Sequence, residues 1–272
     1  MSSTAAFTGS IPETYDRDMG PVIFVDYAAE MAARAASLNP KNLLETAAGT
    51  GIVTRALRDR LPKDVPITAT DLNDPMLDIA RRKFRDGEAV TFQPADAQDL
   101  PFGDGAFDVA VCQFGIMFYP DKEKSFREIH RVLKPGGRYL FSVWDSHAHN
   151  PYAALTDSVV RGLFPSDPPR FFQVPFSCAP IDPLKEMLIA AGFGDIVVSV
   201  MRLTKVIPDV DAFAHGLIYG NPLQVEIRER AGLNPDEAVA RIADGLRREF
   251  GPGAKMPLQT LFYSATSVPK DG

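Results

Sequence analysis

The sequence has little of what marks disulfide-rich, nucleic-acid-binding or membrane-spanning proteins. Its two cysteines, Cys112 and Cys178, are too few and too far apart for a disulfide framework or a thiolate metal site, so a reducing compartment is expected. The 29 basic and 35 acidic residues form no basic block, which argues against a nucleic-acid partner. The N-terminal apolar run, residues 22–25, is far shorter than the roughly 20 residues that cross a bilayer. We therefore expect a cytoplasmic chain without a membrane span, a monomer or homodimer, that acts on a small molecule.

What the sequence does contain is a glycine turn at the end of a short apolar strand. Residues 43–45 read as a buried parallel strand, and apolar residues at helical spacing resume after position 51. Gly49 and Gly51 lie at the junction, where glycine permits unusual backbone dihedrals and leaves room for a ligand against bare backbone. Ligands of open α/β sheets bind at such carboxyl ends of strands. The turn is therefore the first candidate binding site.

Two ligand classes use a turn of this kind, and the spacing here favours one of them. The pyrophosphate of a dinucleotide favours the pattern G-x-G-x-x-G, but Thr54 occupies the place of the third glycine. Glu45 puts a carboxylate beside the turn, which repels a pyrophosphate and attracts an ammonium group. An NAD-dependent dehydrogenase stays an alternative because it shares the glycine turn, although these two residues disfavour it.

The sequence E-x-x-x-G-x-G from Glu45 to Gly51 resembles the first motif of class I methyltransferases that use S-adenosylmethionine. That ligand carries an amine and a sulfonium, and the resemblance implies that Glu45, Ala47, Gly49 and Gly51 bind it. Ala47 departs from the family pattern, which usually has its first glycine there. We expect the added methyl group to narrow the loop without closing it.

A second acid follows the turn at the distance typical of nucleotide-binding folds. Asp71 ends a predicted strand, residues 67–71, and stands 20 positions beyond Gly51. A carboxylate in this place can accept hydrogen bonds from both ribose hydroxyls of an adenosine. Leu72 and Met76, next to it on the loop and the first turn of the following helix, are assigned to the same binding site.

Two further segments carry the family resemblance. The segment D-A-Q-D-L-P-F, which begins at Asp96, is similar to a family motif in which the aspartate accepts from the adenine amino group and the next backbone N–H, here that of Ala97, faces the ring. Gln113 and Phe114 follow the fourth predicted strand, residues 107–112, and are candidates for contacting the methionine or adenine portions. The pattern R-E-I-H-R-V-L-K-P-G-G over residues 127–137 also resembles the family, so the resemblance covers about residues 41–144.

The resemblance implies a Rossmann-like α/β fold: a seven-stranded sheet, mostly parallel with an antiparallel last strand, flanked by helices in a single domain of residues 1–272. Two segments carry no donor motif. Residues 10–38 predict an N-terminal cover helix, in which Tyr15 either covers the ligand or lies on the surface, and residues 1–9 are expected to be disordered. Residues 209–253 predict a helical insertion that either caps the substrate or extends the core on the far side of the sheet.

The expected reaction is transfer of a methyl group from S-adenosylmethionine to a small, partly hydrophobic acceptor by in-line displacement. Such chemistry requires alignment more than acid–base groups, so no catalytic residue is assigned. The candidate bases are His147, His149, His215 and Tyr119. The sequence near His147 and His149 offers no third residue that would complete a metal site, so no metal is expected. A non-catalytic nucleoside-binding protein is the second alternative to the enzyme.

Overall fold

The computed structural model describes residues 6–230, 234–251, 253 and 255–269. Within these ranges the chain forms a seven-stranded sheet in the order β3-β2-β1-β4-β5-β7-β6. Strand β7 is antiparallel to both of its neighbours, and the other pairs are parallel. The predicted Rossmann-like sheet is confirmed. Its strands are β1 Leu43–Glu45, β2 Ile67–Asp71, β3 Val90–Pro94, β4 Phe107–Gln113, β5 Leu133–Trp144, β6 Phe193–Val206 and β7 Lys255–Ser267.

Helices flank this sheet and also build the two segments outside the donor motifs. A π-helical segment, Tyr15–Phe24, joins the first two α-helices, and short 3-10 helices occur at Ile116–Phe118, His147–His149 and Phe171–Gln173. The α-helices are α1 Ile11–Thr14, α2 Val25–Ser37, α3 Ile52–Arg60, α4 Asp74–Arg81, α5 Lys122–Val132, α6 Pro151–Leu163, α7 Ile181–Ala190, α8 Val210–Tyr219, α9 Leu223–Arg228 and α10 Pro235–Phe250. Among the described residues, no helix is both long and apolar enough to cross a membrane.

The central strand β1 fixes where a ligand can bind. Leu43 and Leu44 are fully buried because β1 lies between β2 and β4, paired with Ile67 on one side and Val109 on the other. The order of the strands reverses at this point, which is where open α/β sheets bind their ligands. The carboxyl ends of β1, β2 and β4 therefore meet at one edge of the sheet.

The N-terminal segment differs from the sequence-based expectation. Residues 1–5 lie outside the described residues, but the disorder predicted for residues 6–9 is wrong at Phe7, which is 9% exposed. Its ring packs edge-on against Tyr15 and Phe118, with centroid distances of 5.9 and 5.7 Å. Burial of an apolar ring against two others offsets the entropy lost on ordering this short segment.

The described part of the insertion contains three helices, α8, α9 and α10, and packs against the N-terminal cover. Asp209 and Asn234 cap α8 and α10 by accepting hydrogen bonds from backbone N–H groups. Gly216 of α8 lies against the π-helical segment so closely that an added Cβ would be 2.8 Å from Cβ of Asp18. His215 Nδ1 lies 2.9 Å from Asp18 Oδ2. The insertion and the cover therefore pack directly against each other.

Candidate active site

A cavity of about 450 Å³ lies at the carboxyl ends of β1, β2 and β4. Of the twelve residues assigned to the donor, ten line it. Glu45 lines a small side pocket beside it, and Gly51 lines neither. The ten are Tyr15, Ala47, Gly49, Asp71, Leu72, Met76, Asp96, Ala97, Gln113 and Phe114.

Gly51 has a packing role. Its φ is +77°, and an added Cβ would lie 2.8 Å from Cβ of Ala80 in α4. The motif therefore places a glycine where two helices approach each other, while the ligand side of the turn is formed by Gly49 and Ala47. Ala47 adopts φ +52°, a left-handed conformation that favours glycine, which accounts for the glycine usual in the family.

Asp71 holds the glycine turn and faces the cavity at the same time. Its Oδ2 accepts from the N–H of Gly49 at 2.9 Å, and its Oδ1 accepts from the N–H of Asn73 at 2.8 Å. Burial raises the pKa of this carboxyl group, and the backbone hydrogen bonds oppose the rise. A carboxylate has about four acceptor positions, so further donors can bind it from the cavity.

The loop after β3 supplies the second acid of the lining. Asp96 Oδ1 accepts from the backbone N–H of Gln98 at 2.8 Å and from its Nε2 at 3.1 Å. Gln98 in turn accepts from the N–H of Asp121 at 2.9 Å. Asp96 is thus held in a fixed orientation at the cavity wall. Gln98, which also lines the cavity, was not among the residues assigned from the sequence.

Gln113 and Phe114 form the floor of the cavity at the end of β4. Gln113 Nε2 lies 3.3 Å from the carbonyl oxygen of Phe24, while its Oε1 is buried without a partner among the described residues. Phe114 has φ +54°, an uncommon conformation for a bulky residue, and its ring stacks on Trp144 at 4.1 Å. Such strain is held only where the surroundings fix it, and here the stacked ring does so.

Glu45 is a buried acid without a cation. It is 1% exposed, and its Oε2 has no hydrogen-bond partner in the described part of the chain. Burial raises its pKa to about 8. The side pocket it lines also includes Tyr15, Thr50 and Gln113. An ammonium group bound there would supply the missing counter-charge.

Glu45→Gln is expected to improve stability and weaken ligand binding. The pKa of Glu45 in the folded protein, about 8, exceeds its ordinary value of 4.5, so ionisation disfavours folding. The free energy of unfolding should fall as pH rises from 4.5 to about 8, and the variant should lack this loss.

Ligand binding should depend on pH as well. As the pH increases towards 8, the wild-type affinity for an ammonium ligand should rise by up to about tenfold per pH unit, because binding requires that Glu45 lose its proton. Calorimetry and denaturant unfolding at several pH values test both effects, and equal pH profiles for the two proteins would contradict the assignment.

Tyr15 lines the cavity. Its ring stacks on Phe24 with centroids 4.7 Å apart and also lines the side pocket. Burial raises the pKa of its phenol, and the neighbouring carboxylate of Asp71 adds to the rise. Of the two alternatives left by the sequence, a surface residue does not agree with this position, and a cover over the ligand stays a prediction.

The four candidate bases differ in whether they line the cavity. His147, His149 and His215 do not line the cavity, whereas Tyr119 does. The Tyr119 hydroxyl lies 3.4 Å from Oγ1 of Thr46 and 3.5 Å from Sγ of Cys112, and burial raises its pKa well above the ordinary value. A phenol this hard to ionise is a poor base at neutral pH.

A large part of the lining was not assigned from the sequence. Apart from the assigned residues, the lining is rich in aromatic and apolar side chains, and this part of it is called the aromatic half. Phe118, Phe171, Phe172 and Phe176 belong to this part of the lining. The unassigned members include Phe7, Met19, Ile23, Trp144, Tyr152, Leu217 and Asn221.

Comparison with known proteins agrees with this architecture. A family model described as a methyltransferase domain matches residues 44–141. The demethylmenaquinone methyltransferase of Thermus thermophilus is 44% identical over 117 residues, which cover 43% of this chain and 50% of that protein. The ubiquinone/menaquinone biosynthesis C-methyltransferase UbiE of Laribacter hongkongensis is 32% identical over 167 residues, covering 57% and 67%. The crystal structure of YcgJ from Bacillus subtilis shares the fold, with TM-score 0.59 and 19% identity over 90% of this chain and all of that one.

The chain belongs to the class I S-adenosylmethionine-dependent methyltransferases, of the UbiE type. Its cofactor is S-adenosylmethionine. The chain spans about half the length of several curated relatives that it matches.

The residues at the turn fit this cofactor. Oε2 of Glu45 and Oε1 of Gln113 are buried acceptors without partners among the described residues, and the ligand's ammonium group is a donor. An added Cβ on Gly49 would lie 3.4 Å from Cε of Met76, so glycine keeps this side of the turn open. The cavity volume of about 450 Å³ is within the range of small-molecule sites.

Proposed function

We propose that the chain transfers a methyl group from S-adenosylmethionine to a ring carbon of a small, partly hydrophobic acceptor of the quinol type, by in-line displacement. The proposal rests on one observation: the same cavity is lined by two acids, Asp71 and Asp96, and by a wall of aromatic rings. Aromatic side chains supply 11 of the 30 lining residues. Large rigid ring surfaces suit a flat, apolar ring.

The charge of the cavity favours an acceptor without negative charge. Asp71 and Asp96 line it, and no lysine, arginine or histidine does so within the described ranges. A phosphate or carboxylate on the acceptor would meet no cation and would be repelled by both acids. A neutral ring with hydroxyl groups meets neither difficulty.

The names of the relatives agree with such an acceptor. They are named for methylation of demethylmenaquinone and for C-methylation in ubiquinone and menaquinone biosynthesis. A quinol is flat and neutral, and its hydroxyl groups raise the electron density of the ring carbon that is methylated. Its ring carbon therefore attacks the methyl group without prior help from a general base; the sulfur–methyl bond breaks, S-adenosylhomocysteine leaves, and the proton of the methylated ring carbon passes to water. This is consistent with a lining in which no described residue is a histidine.

The chain's own task in this reaction is alignment. S-adenosylmethionine supplies an electrophilic methyl group on its sulfonium sulfur. We propose that Glu45, Asp71 and Asp96 fix the donor, while the aromatic wall holds the acceptor ring in line with the methyl group. Positioning of this kind contributes about 7–11 kcal/mol to lowering a barrier.

We also propose that the N-terminal cover, residues 10–38, and the insertion, residues 209–253, cap the acceptor. Met19 and Ile23 of the cover and Leu217 and Asn221 of the insertion line the cavity, which supports a cap. An insertion that only extended the core on the far side of the sheet would not contribute to this lining.

Of the alternatives, a dehydrogenase is not supported, because the chain belongs to a methyltransferase family. A non-catalytic nucleoside-binding protein has one supporting observation, the lack of a well-placed base. The cytoplasmic location, the lack of a nucleic-acid partner and the oligomeric state stay predictions.

Formation of S-adenosylhomocysteine in the presence of acceptors of different charge tests the proposal. The protein is incubated anaerobically with S-adenosylmethionine and either naphthohydroquinone or phosphoethanolamine, or with no acceptor. We expect product above background only with naphthohydroquinone. Faster turnover of phosphoethanolamine would contradict the neutral acceptor, and tight donor binding without turnover of any quinol or other neutral ring would favour the non-catalytic alternative.

A further inference from the structure

The aromatic half of the cavity contains a polar group that the site described so far does not use, the hydroxyl of Tyr152. Tyr152 lies in the first turn of α6, just beyond the end of β5, and is 2% exposed while lining the cavity. No described residue exchanges a hydrogen bond with its hydroxyl. Buried phenol groups usually have a hydrogen-bond partner. The missing partner is therefore expected in the cavity.

The ring of Tyr152 is held by its neighbours. Its centroid lies 6.2 Å from the ring of Trp144, 6.5 Å from that of Phe176 and 5.8 Å from that of Phe213. These rings come from three different segments of the chain, so the orientation of Tyr152 is fixed by packing and not by a hydrogen bond of its own. Because the ring is fixed, its hydroxyl oxygen stays in one position and favours ligands that have a hydrogen-bond acceptor there.

The other hydroxyl and side-chain amide groups near this wall are already engaged or lie nearer the donor. The side chain of Asn221 donates to the carbonyl oxygen of Leu217 at 2.9 Å and accepts from the N–H of Leu223 at 3.1 Å. Tyr119 contacts Thr46, as described above. Tyr15 lies near Asp71, at the donor end. Tyr152 is thus the candidate hydroxyl donor for a ligand oxygen in the aromatic half.

We propose that Tyr152 donates a hydrogen bond to a ring oxygen of the acceptor and so selects a quinol or quinone over a hydrocarbon ring of the same shape. The inference rests on the proposed function and adds the residue that recognises the acceptor. Burial raises the pKa of Tyr152 well above its ordinary value, which keeps the hydroxyl protonated and able to donate.

Fluorescence of the single tryptophan, Trp144, provides a direct test, because this residue lines the cavity. The protein saturated with S-adenosylhomocysteine is titrated with naphthoquinone and with dihydronaphthalene, which has a similar shape but no oxygen. Tyr152→Phe removes only the hydroxyl. Tyr139→Phe is the matched control, because Tyr139 is fully buried and does not line the cavity.

We expect Tyr152→Phe to raise the dissociation constant of naphthoquinone about tenfold and to leave that of dihydronaphthalene unchanged, as expected when a buried acceptor loses its donor. Tyr139→Phe should change neither. Equal naphthoquinone affinity in wild type and Tyr152→Phe would overturn the role of Tyr152 while leaving the proposed function intact. Failure of the wild-type protein to bind naphthoquinone would overturn the quinol-type acceptor and this inference with it. A loss confined to S-adenosylhomocysteine affinity would assign Tyr152 to the donor instead.

Discussion

Replacing Asp71 with alanine is expected to weaken S-adenosylmethionine binding by about a hundredfold or more. The carboxylate faces the cavity, and two charge-assisted hydrogen bonds to ribose hydroxyls contribute about 1.5–3 kcal/mol each. The variant also leaves the N–H groups of Gly49 and Asn73 without their present acceptor, at distances of 2.9 and 2.8 Å in the wild type. Part of the effect therefore comes from a loosened glycine turn. Calorimetric titration of the folded variant measures the change.

Two further variants separate these causes. Asp71→Asn keeps the shape and one acceptor oxygen but loses the charge. Asp74→Ala removes an acid three residues further along, whose side chain is 58% exposed and pairs with Arg81. We expect Asp71→Asn to weaken binding and Asp74→Ala to leave it unchanged. An unchanged dissociation constant in a folded Asp71→Ala protein would remove Asp71 from the donor site.

Gly216→Ala should lower the turnover of the acceptor about a hundredfold while donor affinity stays within a few-fold. The added Cβ would lie 2.8 Å from Cβ of Asp18 and 2.9 Å from Cγ of Met19, so α8 and the π-helical segment must separate. Met19 and Leu217 line the cavity in the part proposed to hold the acceptor. When a substitution far from the reacting atoms displaces the bound substrate by about 1 Å, the rate can fall about a hundredfold.

The control for this experiment is Gly162→Ala. Gly162 also lies within a helix, but an added Cβ there meets nothing within 4 Å. Both substitutions favour helix formation by a similar amount. Steady-state kinetics of the two variants, with donor binding measured separately, test the proposed cap. Equal turnover by both would show that contact between the insertion and the cover does not shape the acceptor site.

The donor half of the site could be predicted from the sequence because its residues follow strand ends. Glu45, Asp71 and Gln113 each end a strand, and Asp96 follows β3 by two residues. Parallel pairing brings such ends to one edge of the sheet, so short local patterns were enough. Gly51 is the exception. A glycine in a ligand motif can be required by helix packing alone, and only the contact with Ala80 distinguishes the two causes.

The acceptor half could not be predicted in the same way. Phe7, Tyr152 and Leu217 come from segments far apart in the chain, and their meeting depends on how helices pack on one another. The sequence predicted a cover helix over residues 10–38, but it did not distinguish the π-helical turns of Tyr15–Phe24 from ordinary ones. Those turns set which side chains of the cover face the cavity.

A mass spectrum of the acceptor after turnover tests the proposed methyl transfer most directly. The protein is incubated with S-adenosylmethionine carrying a trideuterated methyl group and with naphthohydroquinone under anaerobic conditions. We expect the ring to gain one trideuterated methyl group on carbon, at a rate that falls in Asp71→Ala. An unlabelled ring in the presence of bound donor, or a label on oxygen only, would contradict it.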